Sequence, residues 1–206
     1  VGGEAINYTL GTTATQYSSV AGGPYPITVT LGSNPNYNVT PTDSLLTVNA
    51  AVATVAANAK SKAYGELNPA LDAVVTGTVG GDVLAYSLAT TATKYSPVTN
   101  YPITVTLGAN PNYAVSATNG TLAVGAKGAS VVANDKVKTY GDDNPALDAA
   151  VSGTVNGDTL AYTLATTATK YSPATNYPIT VTLGTNPNYA VSATNGTLTV
   201  GVKSAG

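Results

Sequence analysis

Asp142 and Asp143 stand side by side ahead of Asp158, and carboxylates on loops are the oxygen donors that Ca²⁺ takes. The earlier stretch of the same pattern offers only Glu66, Leu67 and Asp82, so such a site would not recur intact. A solvated loop, with Asp82 and Asp158 capping turns through their own backbone, is the expectation. Lys94 and Lys170 raise a second chemistry, a Lys–Asn isopeptide crosslink, which needs a buried acid beside the pair. Gln16 holds the equivalent place further upstream, which argues for surface lysines instead. Tyr64, Tyr86, Tyr95, Tyr101 and Tyr113 raise a third, a platform for stacking sugars. Tyr86, Tyr101 and Tyr113 fall on inward faces and replace the absent Phe, so only Tyr95 and Tyr171, beside Ser-Pro turns, are left to contact a ligand.

The chain has no His, Cys or Arg, which removes the usual nucleophile–base pairs, zinc sites and phosphate clamps. No catalytic, cofactor-binding or metal-ligating residue is assigned, and no cofactor is expected. The eight Lys are scattered and the formal net charge is −2, so no patch offers the phosphate neutralisation that nucleic acid requires. No apolar run approaches the length of a membrane span, and membrane insertion is not expected. The sequons at Asn7, Asn38, Asn119 and Asn195 read as turn residues, the last two as the corners of hairpins.

The elements that carry these residues recur. Tyr64-Gly65 through Asn68-Pro69-Ala70-Leu71-Asp72 returns 76 residues later as Tyr140-Gly141 through Asn144-Pro145-Ala146-Leu147-Asp148. Tyr101 to Gly108 returns as Tyr177 to Gly184 at the same offset, and the two copies are about three-quarters identical. Tyr25 to Gly32 and Asn34-Pro35-Asn36-Tyr37 belong to a third copy, which begins at Val1, the partner of Val79, and lacks the front of the repeat. The reading is therefore residues 1–50 as a partial repeat, 51–126 as a complete one, and 127–206 as a second complete one with the start of a linker. Gly206 corresponds to Ser130, and the array is expected to continue past both ends.

Within a copy, Tyr101, Ile103, Val105 and Leu107 alternate with Pro102, Thr104 and Thr106, the period of a strand with one buried face. Ala53, Val55 and Ala57 are kept as Ala129, Val131 and Ala133, whereas Val52, Thr54 and Ala56 become Gly128, Ser130 and Val132. That alternation is expected where packing constrains one face. Further strands are expected over Asp72–Val79, Val83–Leu88, Tyr113–Thr118 and Leu122–Val124. The fold class is all-β: tandem Greek-key, Ig-like antiparallel β-sandwich domains, each of six or seven short strands.

The order Lys62-x-Tyr64-Gly65-x-x-Asn68-Pro69-Ala70-Leu71, Gly77-x-Val79-x-Gly81-Asp82, Ser96-Pro97 with Tyr101-Pro102-Ile103-Thr104, and Asn110-Pro111-Asn112-Tyr113 with Asn119-Gly120-Thr121-Leu122 resembles the MBG, or mostly bacterial Greek-key, domain. The resemblance implies a module present in many copies in large secreted or surface-attached, often adhesin-like, bacterial proteins. It carries no catalytic residues over. The function expected is a non-enzymatic, semi-rigid extracellular stalk or fibre of a cell-surface adhesin or matrix filament. The alternative is an adhesin module that recognises carbohydrate or protein receptors. The partners expected are neighbouring copies of the same repeat or subunits, including strand complementation of the partial copy over Ile27, Val29, Leu31 and Leu46.

Overall fold

In the computed structural model, which describes residues 3–204, every regular element is a strand. The opening repeat contributes β1 (Tyr8–Thr12), β2 (Tyr25–Leu31) and β3 (Ser44–Leu46). The first complete repeat contributes β4 (Ala51–Ala57), β5 (Lys60–Ala63), β6 (Ala73–Thr76), β7 (Tyr86–Thr90), β8 (Asn100–Leu107), β9 (Tyr113–Thr118) and β10 (Gly120–Gly125). The second gives the same series as β11 (Lys127–Ala133), β12 (Lys136–Thr139), β13 (Ala149–Ser152), β14 (Tyr162–Thr166), β15 (Asn176–Leu183), β16 (Tyr189–Thr194) and β17 (Gly196–Gly201). The alignments of Val1 and Gly206 fall outside the described residues.

The chain divides into two compact units, Val1–Asn58 with Leu71–Ala89 and Ile103–Gly120, and Ala59–Ala70 with Thr90–Pro102 and Thr121–Gly206. The second unit holds all of β11–β17. Here β13-β11-β16 forms one sheet and β12-β17-β15-β14 the other. Their facing sides share one core, in which Val131 and Ala133 meet Ile179, Val181 and Leu198, with Tyr162, Leu164, Ala149 and Val191 around them. Within the first unit, Ala53, Val55, Leu84 and Val105 pack in the same way with Tyr86, Leu88, Tyr113 and Val115. Ile103, Val105, Leu122 and Val124 are buried while Thr104, Thr106 and Thr121 are exposed, as the alternation predicts. On the outward side the paired hydroxyls change together: Thr54 and Thr76 lie 2.7 Å apart, and their counterparts Ser130 and Ser152 lie 2.8 Å apart. Cross-strand pairs of this kind hold neighbouring strands in register.

Two pairings in each repeat run parallel. β11 lies parallel to β16, with Lys127 opposite Tyr189, and β12 lies parallel to β17, with Lys136 opposite Leu198. β4 with β9 and β5 with β10 repeat the arrangement. The opening and closing segments of a repeat therefore run side by side and pass together from one sheet to the other.

That corner replaces the hairpin expected at Asn-Gly. β16 and β17 belong to different sheets, and neither Asn195 nor Gly196 has the positive φ of a type I′ turn. Asn195 Oδ1 instead accepts the Val181 amide at 2.9 Å. A Cβ on Gly196 would stand 2.7 Å from the Ala133 carbonyl oxygen, so the glycine is required for close approach of two backbones. Asn119 and Gly120 do the same against Val105 and Ala57.

Other bounds move for local reasons. The strand expected over Asp72–Val79 ends at Thr76, because Gly77 takes φ 84° and a Cβ there would run into the Val52 carbonyl oxygen. In the opening repeat, Tyr37–Thr40 forms no strand. β1, β2 and β3 form a sheet in which Tyr8, Leu10 and Leu45 are exposed and Ile27, Val29, Leu31 and Leu46 only half-buried.

Candidate functional site

The motifs that recur at the period of 76 meet where one repeat hands over to the next. In Asn186-Pro187-Asn188-Tyr189 each polar residue has a separate task. Asn186 closes its own sheet: its Oδ1 accepts the Ala161 amide at 2.8 Å, and its Nδ2 donates to the Ala161 and Gly184 carbonyls, both at 3.1 Å. Asn188 reaches backwards, accepting the Val98 amide of the preceding repeat on Oδ1 at 3.1 Å, while its carbonyl accepts the Lys127 amide at 3.0 Å. The Tyr189 hydroxyl donates to Asp158 Oδ2 at 2.7 Å and accepts the Val155 amide at 3.1 Å. The carboxylate of Asp158 therefore serves a tyrosine rather than its own turn.

Tyr64 enters this arrangement from the preceding repeat. Its hydroxyl donates to the same Asp158 Oδ2 at 2.8 Å, and its ring meets Tyr189 edge-on with centroids 5.5 Å apart. Edge-to-face geometry is the favoured one for two aromatic quadrupoles. Gly65 follows with φ 83°, and a Cβ there would strike Val155 Cγ2 at 2.7 Å, so the Tyr-Gly pair fits both by conformation and by closeness.

A buried cation holds the turn that presents Tyr64. Lys62 Nζ donates to the carbonyls of Thr93, Glu66 and Lys94 at 2.5, 2.9 and 3.3 Å, and Gly65 N donates to the Lys94 carbonyl at 3.1 Å. Burial pushes the Lys62 pKa down, against the opposing pull of the Glu66 charge. In the second complete repeat Lys138 makes the corresponding bonds to Thr169 and Asp142 at 2.6 and 3.1 Å.

The hydrogen bond to Asp158, followed by desolvation and the nearby negative charge, raises the Tyr64 pKa above 10.0; Asn156 pulls weakly the other way. Desolvation chiefly raises Tyr189, with Val155 opposing and Asp158 adding to it. A phenol whose folded pKa is raised stabilises the fold fully below its unfolded value and loses that contribution as the pH climbs through the folded one. Titration of phenolate absorbance should therefore show Tyr64 and Tyr189 ionising above the ordinary tyrosine value of 10.0, with the joint loosening as they do. Asp158→Asn should lower both, Tyr64 the more, because desolvation still holds Tyr189 up. A single unshifted titration of every tyrosine in the unsubstituted chain would contradict the geometry.

The residues first considered for chemistry lie apart from one another. Lys170 pairs with Asp143 at 3.2 Å on the surface, and Lys94 lies over the Tyr95 ring at 5.2 Å, so neither sits beside a buried acid. Asp142 and Asp143 do not gather round Asp158, and among the described residues no three acidic, His or Cys side chains are placed to hold a metal. Tyr171 is exposed, as expected, and Tyr95 is also exposed. Sequence reading used Lys62 only as part of the family motif, gave it no role, and did not set Tyr64 apart from the other tyrosines. The signal available was the Lys-x-Tyr-Gly spacing itself, present in both complete copies.

No helix among the described residues is long and apolar enough to cross a membrane. A search of curated proteins found no match. The profile of the MBG domain (YGX type) matches twice, over residues 53–123 and 129–199. The two matches hold the Tyr-Gly turns at 64–65 and 140–141, the Asn-Pro-Asn-Tyr clamps and the paired sheets between them, and the chain belongs to the MBG domain family of the YGX type.

Proposed function

We propose that the chain is a length of a non-enzymatic repeat array that forms a semi-rigid extracellular stalk or fibre of a bacterial surface adhesin or matrix filament. The observation that carries this reading is one residue in two settings. Tyr64 is 4% exposed and Tyr140, at the same place in the next copy, is 41% exposed. Asp158, Tyr189 and Val155 of the following repeat close over Tyr64. Repeats strung as independent beads have no use for such a residue. Ala126 alone separates β10 from β11, and so short a connection restricts bending.

The chain has no native Cys, so spin labels can be placed at will. Labels at Thr121→Cys and Thr180→Cys, both exposed, should give a narrow distance distribution by pulsed electron paramagnetic resonance, and a Tyr64→Ala background should broaden it. A distribution as broad in the unsubstituted chain would sink the stalk reading. Exposed Tyr171 favours a second reading, a module that binds carbohydrate or protein receptors, with avidity from repetition. A saturable hit on a glycan array, lost in Tyr171→Ala, would favour it over the stalk.

A further inference from the structure

Three features of the opening repeat share one explanation. The first is its sheet face. Ile27 and Val29 of β2 are half-buried, whereas Ile179 and Val181 at the same places on β15 are buried beneath β11, β13 and β16. The second is a stretch of backbone. Residues 37–42 form no strand, although their counterparts Tyr113–Thr118 and Tyr189–Thr194 are strands that lie parallel to β4 and β11. Both ends of the stretch are nonetheless held: Tyr37 N donates to the Asn34 carbonyl at 3.0 Å, and Asp43 Oδ1 accepts the Val29 amide at 2.9 Å, as Asn195 accepts that of Val181. A segment fixed at both ends without strand pairing is a ready edge for β-augmentation.

The third is a cavity of about 350 Å³ lined by Tyr17, Val79, Asp82, Asn112 and Tyr113 among others. These residues correspond to Tyr95, Val155, Asp158, Asn188 and Tyr189, and at that later place the ring of Tyr64 lies against Tyr95 and Tyr189 with its hydroxyl on Asp158. The polar fittings are the same in both. Val20 N donates to Asn112 Oδ1 at 3.0 Å as Val98 N does to Asn188, and Tyr113 donates to Asp82 Oδ2 at 2.7 Å as Tyr189 does to Asp158.

We propose that the opening repeat binds a strand–turn segment with the chemistry of this chain's own residues 51–76. Its small and β-branched strand would lie parallel to residues 37–42 and cover Ile27 and Val29. Its Tyr-Gly turn would place a phenol in the cavity, donating to Asp82. One occupant accounts for an apolar face, a backbone edge and a phenol-shaped cavity, which a saccharide or a flat apolar partner would not. The proposal rests on the reading of the chain as a repeat array, but its test does not touch the Tyr64 joint, so the two fail separately.

The test is a synthetic peptide of the sequence 51–76 added to the whole chain. Calorimetry should give one site, and hydrogen exchange should slow at residues 37–42 and at Val29. Tyr64→Ala in the peptide should weaken binding at least tenfold, as should Asp82→Asn in the chain. Val29→Lys, at a half-exposed position that spares both complete repeats, should abolish it. Absence of binding, protection confined to other residues, or indifference to the peptide's tyrosine would overturn the proposal. So would concentration-dependent protection of the same residues without peptide, which would make the face an interface between whole copies.

Discussion

Replacing Ile179 with alanine lowers the stability of the second complete repeat by about 2–5 kcal/mol, whereas the same change at Ile27 costs about 1 kcal/mol or less. Both residues sit in the same seven-residue stretch, Tyr-Pro-Ile-Thr-Val-Thr-Leu, of their strands. Ile179 has no solvent exposure and is enclosed by Val131, Leu198 and Val181, so truncation leaves a cavity that close-packed sheets cannot collapse. Ile27 already faces solvent in part, and the atoms removed there give up little burial. With no Phe, Trp or Met in the chain, each core rests on a few branched aliphatics and has little volume to spare. Denaturant unfolding, followed by hydrogen exchange at β11–β17 for one variant and β1–β3 for the other, separates the two losses. Equal losses would mean that the opening sheet is as well covered as the complete ones.

The same strands mark how far the sequence could be read. Alternation along Tyr177–Leu183 carries its own face assignment, because the period of a strand is two residues and burial acts on every second one. Comparison of copies added the outward side, where Val52 and Val132 are indeed exposed. The parallel pairing of β11 with β16 was not legible. It joins residues at opposite ends of a repeat, and neighbouring segments linked by Asn-Gly invite a hairpin first. Asn-Gly serves two physical needs, positive φ or the closeness of another backbone, and only the fold shows that Gly196 answers the second. The joint was hidden for a related reason. Tyr64 and Asp158 are 94 residues apart and belong to different copies, so no local pattern pairs them. Tyr64 and Tyr140 share the Lys-x-Tyr-Gly pattern, yet the first is buried and the second exposed.

Removal of the Asp158 carboxylate should therefore do more damage than removal of Asp82, though the two occupy the same place in successive copies. Asp158 Oδ2 accepts two phenols, Tyr64 at 2.8 Å and Tyr189 at 2.7 Å, while Asp82 accepts Tyr113 at 2.7 Å. In Asp158→Ala both hydroxyls lose a charged acceptor, and Tyr64, one of the most enclosed tyrosines in the chain, has little access to water as a substitute. In Asp82→Ala the Tyr113 hydroxyl still accepts the Val79 amide at 3.0 Å and lies at an exposed contact. Asp158→Ala should lower the melting temperature by about 5 °C or more and Asp82→Ala by less than about half of that. Asp158→Asn, which keeps an acceptor oxygen without the charge, should fall between them. Tyr64→Phe tests the assignment independently: it should reproduce part of the Asp158→Ala loss and add little to it in the double variant, because two groups in one hydrogen bond are not additive. Full additivity of Tyr64→Phe with Asp158→Ala would show that the phenol and the carboxylate act separately, and the joint between repeats would then rest on Asn188 and the ring contacts alone.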